Sequence, residues 1–237
     1  MNYLTKVSKK LLDIEFSQSY KFDKVSDRFS RIIQAGGVIH TFGCGHSSLL
    51  AQEVFYRAGG LVPVHPIMIE ELMLHRGAKQ ASENERKPGV VQPYLIKEDL
   101  QEKDAVLIIS TSGRNPAPIE TAIYCRAKGL YTVALTSLGY KETQPSRHSS
   151  NQRLEDVVDD VLDMEVPVGD TIMQKGDRSY SPVSSVIGAG MLHELMTRTI
   201  EGIEENGDTP PIFKSGNVDG SDQHNQTMMH AHKRISF

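Results

Sequence analysis

The chain has only two cysteines, no apolar run long enough to cross a bilayer and no excess of basic charge. Each shortage removes a class of protein. Cys44 sits in a glycine turn and Cys125 in an expected helix, which gives neither a disulfide framework nor zinc spacing and fits a reducing compartment. The start, MNYLTKVSKKLLDIEFS, mixes charges into short apolar steps and lacks the unbroken stretch of a secretory leader, so the expected location is the cytoplasm. A formal net charge of −4 disfavours broad binding to nucleic acid or to an anionic membrane, while a small local site for an anion stays open. There is no internal repeat and no low-complexity segment.

What is present suffices for a full core: 38% hydrophobic content over 237 residues suits one α/β domain with extra helices. Leu4, Val7, Leu11 and Ile14, then Phe22, Val25, Phe29 and Ile32, recur at helical spacing. They predict one long or once-broken amphipathic helix over 3–34, stopped by Ala35-Gly36-Gly37. Its apolar face can cover its own sheet or meet another subunit. Strands are expected at 38–42, 61–67, 105–109 and 130–136, with a fifth carried within 157–166. Helices are expected at 47–58, from the Asn115 cap and Pro116 to Gly129, and at 184–203, the last apolar nearly all round. The charged stretch 81–89 reads as a solvent loop or lid, and the tail from Thr209 as irregular. The organisation expected is a helical extension over 1–37, an α/β domain over 38–208 and a tail over 209–237. Strands alternating with helices imply a parallel sheet covered on both faces, with ligands at the carboxyl ends of its strands.

Two loops at such ends carry the chemistry. Thr41-Phe42-Gly43-Cys44-Gly45-His46-Ser47-Ser48 follows the first strand, and Ser110-Thr111-Ser112-Gly113-Arg114-Asn115 follows Val106-Leu107-Ile108-Ile109. Small, hydroxyl-rich turns leading into helix N-termini are sites for an anion such as phosphate. Sharper alternatives fail on single residues. A dinucleotide fingerprint meets Ser48 where a third glycine belongs, a nucleophile elbow meets Leu49, and a Walker loop lacks its lysine.

The first loop with Ala51, followed by Asp104 through Asn115 and the helix to Lys128-Gly129, resembles the SIS (sugar isomerase) domain family over roughly residues 38–200. Within it the chain is most similar to phosphoheptose-isomerase-like proteins. Further matching pattern lies in Arg147-His148-Ser149-Ser150, in Ser181 to Gly188 and in Ser215 to Asn225. The resemblance implies a three-layer, flavodoxin-like α/β fold with a five-stranded parallel sheet. It implies a phosphorylated sugar as ligand, held by Gly43, Cys44, Gly45, His46, Ser47, Ser48, Ser110, Thr111, Ser112 and Asn115, the last standing where phosphoheptose isomerases usually have serine. It also implies a homodimer or homotetramer.

Catalytic residues transfer less directly. The family's glutamate base, ten residues beyond the loop serine, corresponds to Arg57 here. Glu53, one helical turn earlier, and Glu85 in the charged stretch are the candidate carboxylates, each with a solvated surface group as the competing reading. His193 has the type and place of the family's proton-moving histidine, against a hydrogen-bonded core histidine. The tail residues His224, His230, His232, Asp219 and Asp222 are metal-ligand types without evident fixed geometry, and no metal or nucleotide cofactor is expected. The expected activity is aldose–ketose isomerisation. Elimination across a sugar ether and non-catalytic phosphosugar sensing are its rivals.

Overall fold

The computed structural model describes residues 1–237. It opens on one unbroken helix, α1 (Tyr3–Gln34), capped by the Asn2 side chain, which accepts the Thr5 amide at 2.9 Å. Five strands follow in a βα alternation: β1 (Ile39–Gly43), β2 (Val64–Pro66), β3 (Ala105–Ile109), β4 (Tyr131–Thr136) and β5 (Asp160–Asp163). They form one parallel sheet in the order β2-β1-β3-β4-β5. The order reverses between β1 and β3, and that crevice is where doubly wound sheets bind ligands.

Both faces of the sheet are buried, which explains the nearly continuous apolar strands. On one face Leu107, Ile109, Val133 and Leu135 pack with α1, α2 (His46–Glu53) and α6 (Ser184–Glu205). On the other, Phe42, Val106, Ile108 and Ala134 pack with α5 (Pro116–Ala127), and with Leu95 of the short α4 (Gln92–Leu95). No helix is long and apolar enough to cross a membrane.

Several expectations are corrected. β2 is only three residues long, because Pro63 and Pro66 have no amide to give a ladder and confine it to the sheet edge. β5 lies inside 157–166, as expected. The helix after β1 ends at Glu53, and the chain turns away with Tyr56 at φ 44°. The stretch 81–89 is not simply a solvent loop: α3 (Ala78–Asn84) occupies its first half and buries Ala81 and Asn84. A polar antiparallel hairpin, β6 (Thr171–Lys175) and β7 (Arg178–Pro182), joins β5 to α6. The tail is not irregular throughout, since α7 (Ser221–Ala231) is helical. In α1 the apolar residues divide: Val7, Ile14, Phe22, Val25 and Phe29 enter the core, whereas Leu4, Leu12, Phe16 and Tyr20 are exposed.

The amino-terminal edge of the sheet is closed by the tail. Asp104 is fully buried and accepts the Val38 amide at 2.9 Å, the Gln101 amide at 2.8 Å and the Arg234 guanidinium at 2.6 Å. His40 Nε2 lies 3.3 Å from the same carboxylate. Burial resists ionisation of Asp104, but these donors outweigh it and hold the carboxyl well below its ordinary value.

Candidate functional site

At the carboxyl end of β1 the chain must turn sharply into α2, and glycine permits it. A Cβ on Gly43 would come within 2.4 Å of the Ser47 carbonyl oxygen, and Gly45 has φ 55°. The Gly45 amide donates to Leu72 at 2.8 Å, anchoring the turn to the segment after β2. At the carboxyl end of β3 the second loop is braced more heavily. Arg153 is buried and donates to the carbonyl oxygens of Ser112 and Gln144, while its Nε meets Glu155 Oε1 at 2.5 Å. The Thr111 carbonyl accepts the Ser137 amide at 3.0 Å, and the Gly113 carbonyl accepts Leu154 at 2.8 Å. A loop held at three carbonyls presents its hydroxyls in fixed positions.

Between the two loops lies a cavity of about 370 Å³. The first loop contributes Cys44, Gly45, His46 and Ser47, and the second Ser110, Thr111 and Ser112. Ser47, Thr111 and Ser112 keep side-chain hydroxyls without intrachain partners. Ser110 Oγ accepts the Gly113 amide at 3.3 Å, which leaves its proton free to donate. The wall facing the loops carries Glu85, Asp170, Ser184 and Ser185. Asp170 caps α6, accepting the amides of Val183 at 3.1 Å and Ser184 at 2.7 Å.

Three members of the sequence-derived ligand set do not line the cavity. Gly43 makes the turn beneath it, and Ser48 donates its hydroxyl to the Gly45 carbonyl at 2.7 Å. Asn115 stands at the start of α5 without capping it. It is buried, and its Nδ2 instead donates to Glu85 Oε1 at 2.7 Å while its Oδ1 accepts Arg147 Nη1 at 2.9 Å.

The candidate catalytic residues fall into two places. Glu85 joins both loops in the cavity. Burial pushes its carboxyl up, against the opposing pull of the Asn115 hydrogen bond and the charges of Arg86 and Arg147. Burial, and then the charge of Glu85, push the Cys44 thiol well up as well, so it stays protonated at neutral pH and is no thiolate nucleophile. Glu53 and His193 meet elsewhere. His193 Nε2 lies 3.2 Å from Glu53 Oε1 and 3.3 Å from Arg57 Nη1, and Arg57 also bonds Glu53. His193 is not a core histidine, since its side chain is 43% exposed, and with Arg57 it borders a separate cavity of about 240 Å³. Burial alone would raise Glu53, but His193 and Arg57 outweigh it and lower its carboxyl.

Sequence reasoning missed Arg153 and Asp170. Both act through tertiary contacts that no local pattern records, although the Ser181 to Gly188 pattern lies beside the α6 cap. In the tail, His224 Nε2 and His232 Nδ1 are occupied by the carbonyl oxygens of Ile212 at 2.8 Å and Met228 at 2.9 Å.

Comparison with known proteins agrees with this architecture. The SIS domain model matches residues 2–137. A UPF0309 protein of Geobacillus thermodenitrificans (strain NG80-2) is 43% identical over 233 residues, covering 98% of this chain and 94% of that one. The UPF0309 protein in the nagA 3' region of Lysinibacillus sphaericus is 44% identical over 235 residues, covering 99% and 97%. Among solved structures, the phosphoheptose isomerase of Neisseria gonorrhoeae superposes with a TM-score of 0.56 at 12% identity, over 83% of this chain and 94% of that one. A phosphoheptose isomerase from Francisella tularensis gives 0.52 at 11% identity, over 86% and 100%. At such identities the likeness to the solved structures is one of fold. Family model and near full-length relatives together establish that the chain belongs to the SIS domain family.

Proposed function

We propose that the cavity between the two loops binds a phosphorylated sugar and that the chain interconverts its aldose and ketose forms, with Glu85 as the base. One observation carries this reading: the same cavity joins Ser47, Ser110, Thr111 and Ser112 to a carboxyl that burial has raised. Hydroxyl donors at the mouth of a helix suit a phosphate. A carboxylate raised toward neutrality suits abstraction of a proton from carbon.

In this scheme the phosphate anchors the sugar at the loops and its carbonyl end reaches Glu85. The carboxylate takes the hydrogen on the second carbon, the electron pair forms the enediol, and the same proton returns to the first carbon. The hydroxyl proton passes from the second oxygen to the first. His46, the one imidazole lining the cavity, serves in this scheme as the donor that polarises the carbonyl. The isomerase names of the two structural neighbours support the choice of reaction class.

A second reading, a phosphosugar sensor without catalysis, is favoured by one feature. The position that carries the base in phosphoheptose isomerases holds Arg57, and Arg57 is tied to Glu53 rather than to the cavity. Incubation with aldose and ketose phosphates in deuterium oxide separates the two. Deuterium at the second carbon of the aldose marks the isomerase, and binding without exchange across the panel marks the sensor.

A further inference from the structure

Glu85 is gripped twice by the start of α5. Its carbonyl oxygen accepts the Ala117 amide at 3.2 Å, and its carboxylate accepts Asn115 Nδ2 at 2.7 Å. The same short stretch is held from its other side by Arg147, whose amide donates to the Arg114 carbonyl at 2.8 Å and whose guanidinium donates to Asn115 Oδ1 at 2.9 Å. An amide side chain can sit either way round in such a slot, and the two orientations present opposite chemistry to a carboxylate. A guanidinium has five donors and no acceptor, so only the amide oxygen can face it. The nitrogen must then face Glu85.

We propose that Arg147 is a positioning residue for Glu85, fixing the Asn115 amide so that it donates to the carboxylate and keeps it oriented and ionised within the cavity. The inference rests on the reading of Glu85 as the base. It adds that Arg147, on an exposed loop outside the cavity, acts on the carboxylate through one buried amide as well as through its charge. The groups facing Glu85 are few: Arg86 beside it in the chain, Asn115 and Arg147 across the start of α5, and the Cys44 thiol of the first loop. Arg86 remains in every variant considered below, so a change caused by Arg147 or Asn115 is read against a constant background.

The test is a pH titration of the Glu85 carboxyl carbon by NMR, in ligand-free protein labelled at glutamate and assigned with Glu85→Gln. Asn115→Asp removes the donor at constant shape and should raise the midpoint by about one pH unit or more, because a hydrogen bond to the charged form is lost and a like charge is gained. Arg147→Met, which has no donor to give Oδ1, should raise it by about half a unit to one unit, since the freed amide can turn its oxygen toward Glu85. Arg147→Lys, which still donates to Oδ1, should restore most of the wild-type midpoint. A through-space charge effect of an exposed arginine would fade in 1 M salt, where the screening length is about 3 Å, whereas the orienting effect persists. An unmoved midpoint in Arg147→Met, or a shift that disappears in 1 M salt, overturns the proposal. Because no sugar is present, the titration stands even where no sugar phosphate is turned over, and the two readings fail separately.

Discussion

His193 Nε2 lies 3.2 Å from Glu53 Oε1, and Arg57 braces both, so these three side chains satisfy one another away from the cavity that holds Glu85. In the proposed reaction, proton abstraction beside the two loops is therefore assigned to Glu85, which lines the same cavity. Glu85→Gln is expected to slow hydrogen exchange at the second carbon by about 10²–10⁴-fold while leaving sugar phosphate affinity nearly intact. Glu53→Gln and His193→Ala should leave the exchange rate close to wild type. The reverse pattern, with Glu85→Gln silent and His193→Ala inactive, would move the chemistry to the other cluster.

The Arg234 clasp on Asp104 gives the fold a defined acid response. Because the donors around Asp104 depress its carboxyl, its stabilising contribution is complete above the ordinary value of 3.8 and is lost as the pH falls below it. Arg234→Met leaves a buried carboxylate without its main partner and should cost about 3 kcal/mol or more at neutral pH. Denaturant unfolding from pH 3 to pH 7 is expected to show that difference shrinking toward the acid end. A penalty that grows on acidification would contradict the assignment.

The exposed residues Leu12, Phe16 and Tyr20 form an apolar line on α1 opposite the buried one. A second copy of the chain is the expected cover, as in the homodimer or homotetramer implied by family resemblance. Light scattering at micromolar concentration should give a multiple of 26.3 kDa, and Phe16→Asp should shift the population toward monomer. A monomer mass for the unaltered chain would count against the expectation.

The strands were legible because both faces of a parallel sheet are buried, so Ala105–Ile109 reads as an apolar run whichever face each side chain takes. The two loops were legible because their glycines and hydroxyls directly follow buried strands, at the carboxyl ends of a parallel sheet. Glu85 was harder to read. It stands in a charged run, and its inward place goes with the burial of Ala81 and Asn84 in α3 and with its hydrogen bonds to the start of α5. Arg153, Asp170 and the role of Asn115 depend on contacts between residues distant in sequence, which propensity and periodicity do not encode. The hairpin and α7 escaped because polar, exposed elements lack the apolar rhythm that marks buried ones.

The central claim is that Ser110, Ser112 and their neighbours form one phosphate site, and isothermal calorimetry with hexose and heptose phosphates tests it most directly. At least one sugar phosphate is expected to bind, with its unphosphorylated sugar binding far more weakly. Ser110→Ala combined with Ser112→Ala should lower that affinity at least tenfold, since each charge-assisted hydrogen bond lost is worth about 1.5–3 kcal/mol. Affinity unchanged in the double variant, or no binding across the panel, would contradict the account.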